Sequence, residues 1–146
     1  MPIYFEDLAV GDTESLGTYT VTREEIVEFA RQYDPQPFHT DPQAAAESPF
    51  GGLVASGWHT AAMTMRLLVE GFLRKSAARG ALGVDELRWF DPVRPGDTLT
   101  TRTEIAATES WDDEHGKVDV HIETLVDGSV VCSMTALVLF ARRDRS

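Results

Sequence analysis

A helix whose sides are nearly all apolar cannot lie on a protein's surface, and residues Gly57 to Lys75 spell one out. Its interior, AAMTMRLLVEGFL, carries Arg66 and Glu70 as its main charged side chains. Their i, i+4 spacing gathers them on one narrow polar edge. After Gly80 the pattern turns to strands: Leu82 to Phe90, Leu99 to Thr108, Val118 to Val126 and Val130 to Phe140. In the third of these, Val118, Val120, Ile122 and Thr124 share a face. Asp127-Gly128 predicts a tight hairpin between the last two strands. Asp113 to Gly116 is a weaker signal for the preceding pair, and PVRPGD reads as a turn after Phe90. A sheet with one apolar face must hide it, so the sheet is expected to wrap the helix. The expected class is α+β, a long central helix wrapped by an antiparallel sheet of about five strands. One helix does not cover the whole edge of such a sheet. Pairing with a second copy follows, as a homodimer or a higher homo-oligomer with the central helices near the interface.

Ahead of the helix the chain is shorter-ranged. Glu14 to Val21 reads as a first strand. Thr22-Arg-Glu-Glu25 has the form of a capping box, and Ile26, Phe29, Ala30 and Tyr33 supply a helical stripe behind it. That helix should stop at Asp34, because a residue preceding proline is pushed out of the α region. Asp34-Pro35-Gln36-Pro37 reads as irregular. Asp41 as N-cap and Pro42 at N1 then open a short extra helix through Ala46, followed by a Pro/Gly loop from Ser48 to Gly52. No repeat or low-complexity tract interrupts the 146 residues, so one domain over residues 1–146 is expected.

Composition removes several classes of function. Hydrophobic residues at 42% and charged residues at 25% fit a soluble globular protein. A net charge of −11 argues against a nucleic-acid partner, which needs a basic face, and disfavours anionic membrane surfaces. No stretch approaches the run of about 20 apolar residues that a membrane span needs. The opening MPIYFEDLAVGD lacks the pattern of a signal peptide, and a cytoplasmic location is expected. The single cysteine, Cys132, lies in the strand-like run VVCSMTALVLF, which predicts a buried, inert thiol and no internal disulfide.

Chemistry-bearing residues concentrate between Tyr33 and Thr60. Asp34 and His39 stand five positions apart in a loop stiffened by Pro35 and Pro37, and Gly57 opens the long helix. A carboxylate, an imidazole and a helix N-terminus suffice for acid–base chemistry on a carbonyl compound. The residues alone leave a plainer reading open, in which Asp34 caps a helix and His39 is a loop imidazole. Asp41 fits an N-cap better than a second acid, and His59, in the first turn of the helix, is a weaker candidate. His115 and His121 have no partner in view. No His/Cys/Asp/Glu constellation has ligand spacing, so no metal and no cofactor are expected.

Asp34-Pro-Gln-Pro-Phe-His39-Thr-Asp-Pro42 resembles the hydratase motif of the MaoC-like dehydratase and (R)-specific enoyl-CoA hydratase family, in which an asparagine stands where this chain has Gln36. Gly52-Leu-Val-Ala-Ser-Gly57 and Trp89-Phe-Asp-Pro-Val-Arg-Pro-Gly-Asp97 also resemble family segments. The resemblance implies a hotdog fold. It also implies reversible hydration of a trans-2-enoyl-CoA, or of an enoyl thioester on an acyl carrier, to the (R)-3-hydroxyacyl thioester. Under it, Asp34 and His39 activate water and the backbone N–H of Gly57 is the oxyanion donor. Gln36, Ser56, Trp58 and Thr64 are the expected substrate-binding residues. Thr64 is the hydroxyl nearest to Met65, where some hydratases carry a serine. Met63, Met65, Trp58 and Phe72 are possible tunnel-lining residues that suit plain core equally well. Arg66, Arg74, Lys75, Arg79, Arg88 and Arg94 are the cations available to the phosphates of such a substrate.

Two other readings share the fold. A thioesterase would turn the carboxylate to hydrolysis of the thioester, and a non-catalytic acyl-CoA-binding subunit would only hold it. The paired acid and imidazole favour the hydratase over both, since fold alone decides none of them.

Overall fold

A computed structural model describes residues 2–143. Four α-helices precede most of a five-stranded antiparallel sheet. In chain order these are β1 (Thr13–Thr20), α1 (Arg23–Tyr33), α2 (Pro37–Thr40), α3 (Pro42–Ala46), α4 (Gly57–Gly71), β2 (Ala78–Trp89), β3 (Thr98–Ser110), β4 (His115–Val126) and β5 (Ser129–Ala141). The sheet runs β1-β3-β4-β5-β2, and α4 packs across β1 and β3, so the expected sheet-wrapped helix is present. No helix among the described residues is long and apolar enough to cross a membrane.

The hairpin between β4 and β5 forms as predicted. Asp127 and Gly128 both take positive φ, 51° and 81°, which gives the two-residue turn the twist the strands need. The face of Val118, Val120, Ile122 and Thr124 is fully buried, and Cys132 lies beside it in the core. Burial pushes the Cys132 thiol up to about 11, in keeping with an inert side chain.

The order of the sheet corrects one expectation. PVRPGD does turn, with Asp97 N–H donating to Arg94 O at 3.0 Å, but the strands it joins are not neighbours, because β2 pairs with β5 at the far edge and β3 pairs with β1 and β4. Three strand spacings of about 4.8 Å separate β2 from β3, roughly 14 Å, and the eight residues between them reach that far. Local pattern does not encode which edge a strand joins. The crossing is anchored at both ends: Ala55 N–H donates to Val93 O at 2.8 Å, and Val21 N–H donates to Asp97 O at 3.0 Å.

The helices differ from expectation in smaller ways. Pro37 is not irregular but opens α2, a single helical turn, since proline's fixed φ suits the first helical position. The capping box at Thr22 is half made: Thr22 Oγ accepts from Glu25 N–H at 3.2 Å, while the Glu25 carboxylate accepts from the Tyr19 hydroxyl instead of the Thr22 backbone. Regular α4 stops at Gly71, where a Cβ would stand 2.9 Å from Leu16 Cδ2, and Leu73–Lys75 continues as one 3-10 turn. Its buried face holds His59, Thr60, Met63, Thr64, Leu67 and Leu68. Its other face is open in the single chain: Trp58 and Met65 are exposed beside the expected Arg66–Glu70 pair at 2.6 Å.

Candidate active site

The break after α1 brings the acid to the imidazole. Asp34 is the C-cap of α1, its N–H still donating to Ala30 O at 2.8 Å, and its φ of −153° takes the chain out of the helix. Gln36 N–H then donates to Asp34 O and His39 N–H to Gln36 O, winding α2 tightly enough to return His39 toward the carboxylate. His39 Nε2 lies 3.5 Å from Asp34 Oδ2. The imidazole is buried, while the carboxylate keeps 18% of its side chain open to water.

The other ring nitrogen is spoken for. His39 Nδ1 lies 2.7 Å from the carbonyl oxygen of Val54, which can only accept, so Nδ1 carries the hydrogen. In the neutral ring Nε2 is therefore a bare lone pair, 3.5 Å from Asp34 Oδ2. Two acceptors at 3.5 Å do not bond directly, but one water standing beside both can donate a hydrogen to each. Val54 N–H returns the contact by donating to Phe38 O at 3.4 Å, lacing the loop before α4 to α2.

Asp34 is gripped from two further sides. Gln36 Nε2 donates to Oδ1 at 2.6 Å, and Ser56 Oγ donates to Oδ2 at 2.7 Å. Burial alone would raise the carboxyl, but the Gln36 and Ser56 donors, with the His39 charge, outweigh it and hold Asp34 below its ordinary value. Gln36, with its longer arm, thus reaches the acid itself. Ser56 is fully buried and is the N-cap of α4, accepting from Trp58 N–H at 3.2 Å.

Capping through Trp58 N–H leaves the Gly57 N–H without an acceptor among the described residues, at the positive end of a 15-residue helix. Gly57 is required there: a Cβ would stand 2.5 Å from the Trp89 indole. His39, Gly57, Thr60, Phe50 and Trp89 share the wall of a 290 Å³ cavity. A larger cavity of 620 Å³, nearly all apolar, runs along the flank of α4 past Trp58, Thr64, Met65 and Leu68 toward β2 and β5. Trp58 and Trp89 meet edge to face at 5.3 Å, one ring on the wall of each cavity. Of the other tunnel candidates, Met63 and Phe72 are buried in the core instead.

Thr64 lines the larger cavity, but its hydroxyl is committed. It donates to Thr60 O at 2.9 Å and therefore accepts from Thr124 Oγ at 2.6 Å. His59 stands apart from the Asp34–His39 pair; it stacks on Phe29 at 4.7 Å, its Nδ1 has no partner among the described residues, and burial pushes its imidazole down against the pull of Glu25. His115 and His121, expected without partners, have them: Asp112 at 2.9 Å, and Thr135 at 3.3 Å. Asp41 caps α3 as expected, accepting from Gln43 N–H at 3.0 Å. Among the cations, Arg66 and Lys75 are paired with Glu70 and Glu14, and Arg94 donates to Phe50 O at the rim of the smaller cavity.

Residues 9–126 match the MaoC-like domain family. The chain belongs to the MaoC-like dehydratase family. The crystal structure of a MaoC-like dehydratase from Rhodospirillum rubrum is 43% identical, superposes with a TM-score of 0.91 and covers 97% of this chain and 99% of its own. The 3-hydroxyacyl-thioester dehydratase Z of Mycobacterium tuberculosis is 31% identical over 126 residues, 83% of this chain and 82% of that one. The (R)-hydratase from A. caviae involved in PHA biosynthesis superposes with a TM-score of 0.74 at 25% identity, covering 91% of this chain and 97% of that one. The sheet-wrapped α4 is accordingly the hotdog fold of these MaoC-like relatives.

Sequence reading missed the Val54 carbonyl, Trp89 over Gly57, and the Phe38 and Phe50 walls. Trp89 had a signal, since Trp89-Phe90 stands in one of the family-like segments. A backbone carbonyl has none.

Proposed function

We propose that this MaoC-like chain is a hydro-lyase that reversibly hydrates a trans-2-enoyl thioester, on CoA or an acyl carrier, to the (R)-3-hydroxyacyl thioester. One observation carries the reading: His39 Nδ1–H is tied to Val54 O, leaving the Nε2 lone pair 3.5 Å from Asp34 Oδ2. A water held beside both loses a proton to Nε2 as its oxygen bonds to C3. The C2–C3 π electrons move to the thioester oxygen, where the Gly57 N–H and the end of α4 stabilise the enolate. The enolate then collapses and C2 takes the proton from His39, so that one water is added and the enzyme is restored. Dehydration is the same path reversed.

The apolar cavity along α4 supports an acyl chain as the substrate's tail, and its 620 Å³ is within the range of small-molecule sites. Likeness to a 3-hydroxyacyl-thioester dehydratase and an (R)-hydratase supports the thioester class and the (R) outcome. The chain is proposed to act as a homodimer. Trp58, Met65, Leu82, Val84, Trp89 and Phe90 are exposed, and β2 is a free sheet edge next to them. Sedimentation at micromolar concentration tests this, and a monomer would contradict it.

The catalytic reading is tested with a panel of enoyl-CoAs of increasing length, following loss of the conjugated enone together with release of free CoA. Loss of the enone without CoA release is expected. CoA release without hydration would replace the reading with a thioesterase, and silence in both channels across the panel would favour a binding subunit.

A further inference from the structure

We propose that Ser56 is a positioning residue that makes Asp34 an acceptor only, so that His39 alone carries the proton while the carboxylate orients water and steadies the imidazolium. The inference rests on the hydro-lyase reading and divides the labour within its site.

Geometry on both sides of the carboxylate supports it. Ser56 has no exposed surface and one hydroxyl hydrogen. Its oxygen already accepts from Trp58 N–H, so the hydrogen is free to point away from the helix, and Asp34 Oδ2 lies 2.7 Å off to take it. Gln36 Nε2 supplies a donor to Oδ1 at 2.6 Å. A proton placed on either oxygen would compete with one of these donors and lose a charge-assisted hydrogen bond. From α2 the titratable group facing Asp34 is His39; Gln36 and Ser56 face it uncharged from the loop and from the cap of α4. His39 Nε2, in contrast, has no fixed donor among the described residues, and once protonated it carries its hydrogen 3.5 Å from the carboxylate oxygen. Ser56 also ties this acid to the helix start that bears Gly57, so one side chain sets base, acid partner and oxyanion donor in register.

The test is a carboxyl-carbon NMR titration of Asp34 in wild type, Ser56→Ala and Ser56→Gly, with pH profiles of hydration and thermal melts on the same samples. Ser56→Gly keeps most of the cap's backbone preference, separating loss of the hydroxyl from loss of the helix start. The expected result is an Asp34 midpoint raised by about one pH unit in both variants. The acid limb of kcat should stay in place, because it reports the imidazole that must be neutral to take the proton from water, and KM should change little. An unmoved midpoint, or an acid limb of kcat that moves with the Asp34 midpoint, would overturn the assignment. The titration needs no turnover: wild type inactive on every enoyl-CoA would sink the hydro-lyase reading, while the NMR midpoint would still decide the Ser56–Asp34 coupling.

Discussion

His39 Nδ1 stands 2.7 Å from the carbonyl oxygen of Val54, and that bond determines which face of the imidazole is available for chemistry. The neutral ring should hold its hydrogen on Nδ1 and leave Nε2 bare. Nitrogen-15 correlation spectra of labelled protein near pH 8 read the tautomer directly. A hydrogen on Nε2 in the neutral ring would contradict the site geometry.

Gly57 and Trp89 make a second testable contact. A methyl group at position 57 would sit 2.5 Å from the indole, so Gly57→Ala should cost about 1–3 kcal/mol of stability through overpacking. Trp89→Leu in that background should recover part of the loss, and the coupling is measured by a double-mutant cycle in urea. A Gly57→Ala protein as stable as wild type would mean that the ring does not rest on the helix start.

Asp34 links the site to the pH dependence of stability. Its carboxyl is held below the ordinary value, so ionisation favours the folded chain. The sign is that of a depressed acid: the contribution is full above the unfolded value of about 3.9 and is lost as pH falls through the folded one. Urea unfolding at a series of pH values from 7 to 3 should therefore show wild type losing stability relative to Asp34→Asn only at the acid end. A difference between the two that does not change with pH would refute this.

Cys132 is buried, with its thiol pushed up to about 11. Thiol reagents at pH 8 should label it slowly in the native protein and rapidly in denaturant, because the thiolate is scarce and shielded. Fast native labelling would place the side chain outside the core.

Much of this site was legible because its signals are local. Pro35 ends α1 at Asp34 as the sequence predicts, whereas the turn that Pro37 opens, which carries His39 back to Asp34, read as irregular. The face of Val118, Val120, Ile122 and Thr124 followed from strand period alone. What stayed hidden depends on contacts across the sheet. The joining of β2 to β5 is a choice of edge, which alternation does not state. Ser56 stood out as a site residue, but position alone did not say that its hydroxyl faces Asp34 and not the cavity. The exposed Trp58–Met65 strip differs for a related reason, since an apolar pattern does not distinguish a face buried within the chain from one left for a partner.

The central claim is that Asp34 and His39 act together on one water. Its most direct test is kcat/KM for enoyl-CoA hydration by Asp34→Asn beside wild type, with melting curves confirming that both are folded. The account predicts a loss of about 10³-fold, the scale of a removed acid–base partner. Activity within a few-fold of wild type would contradict it.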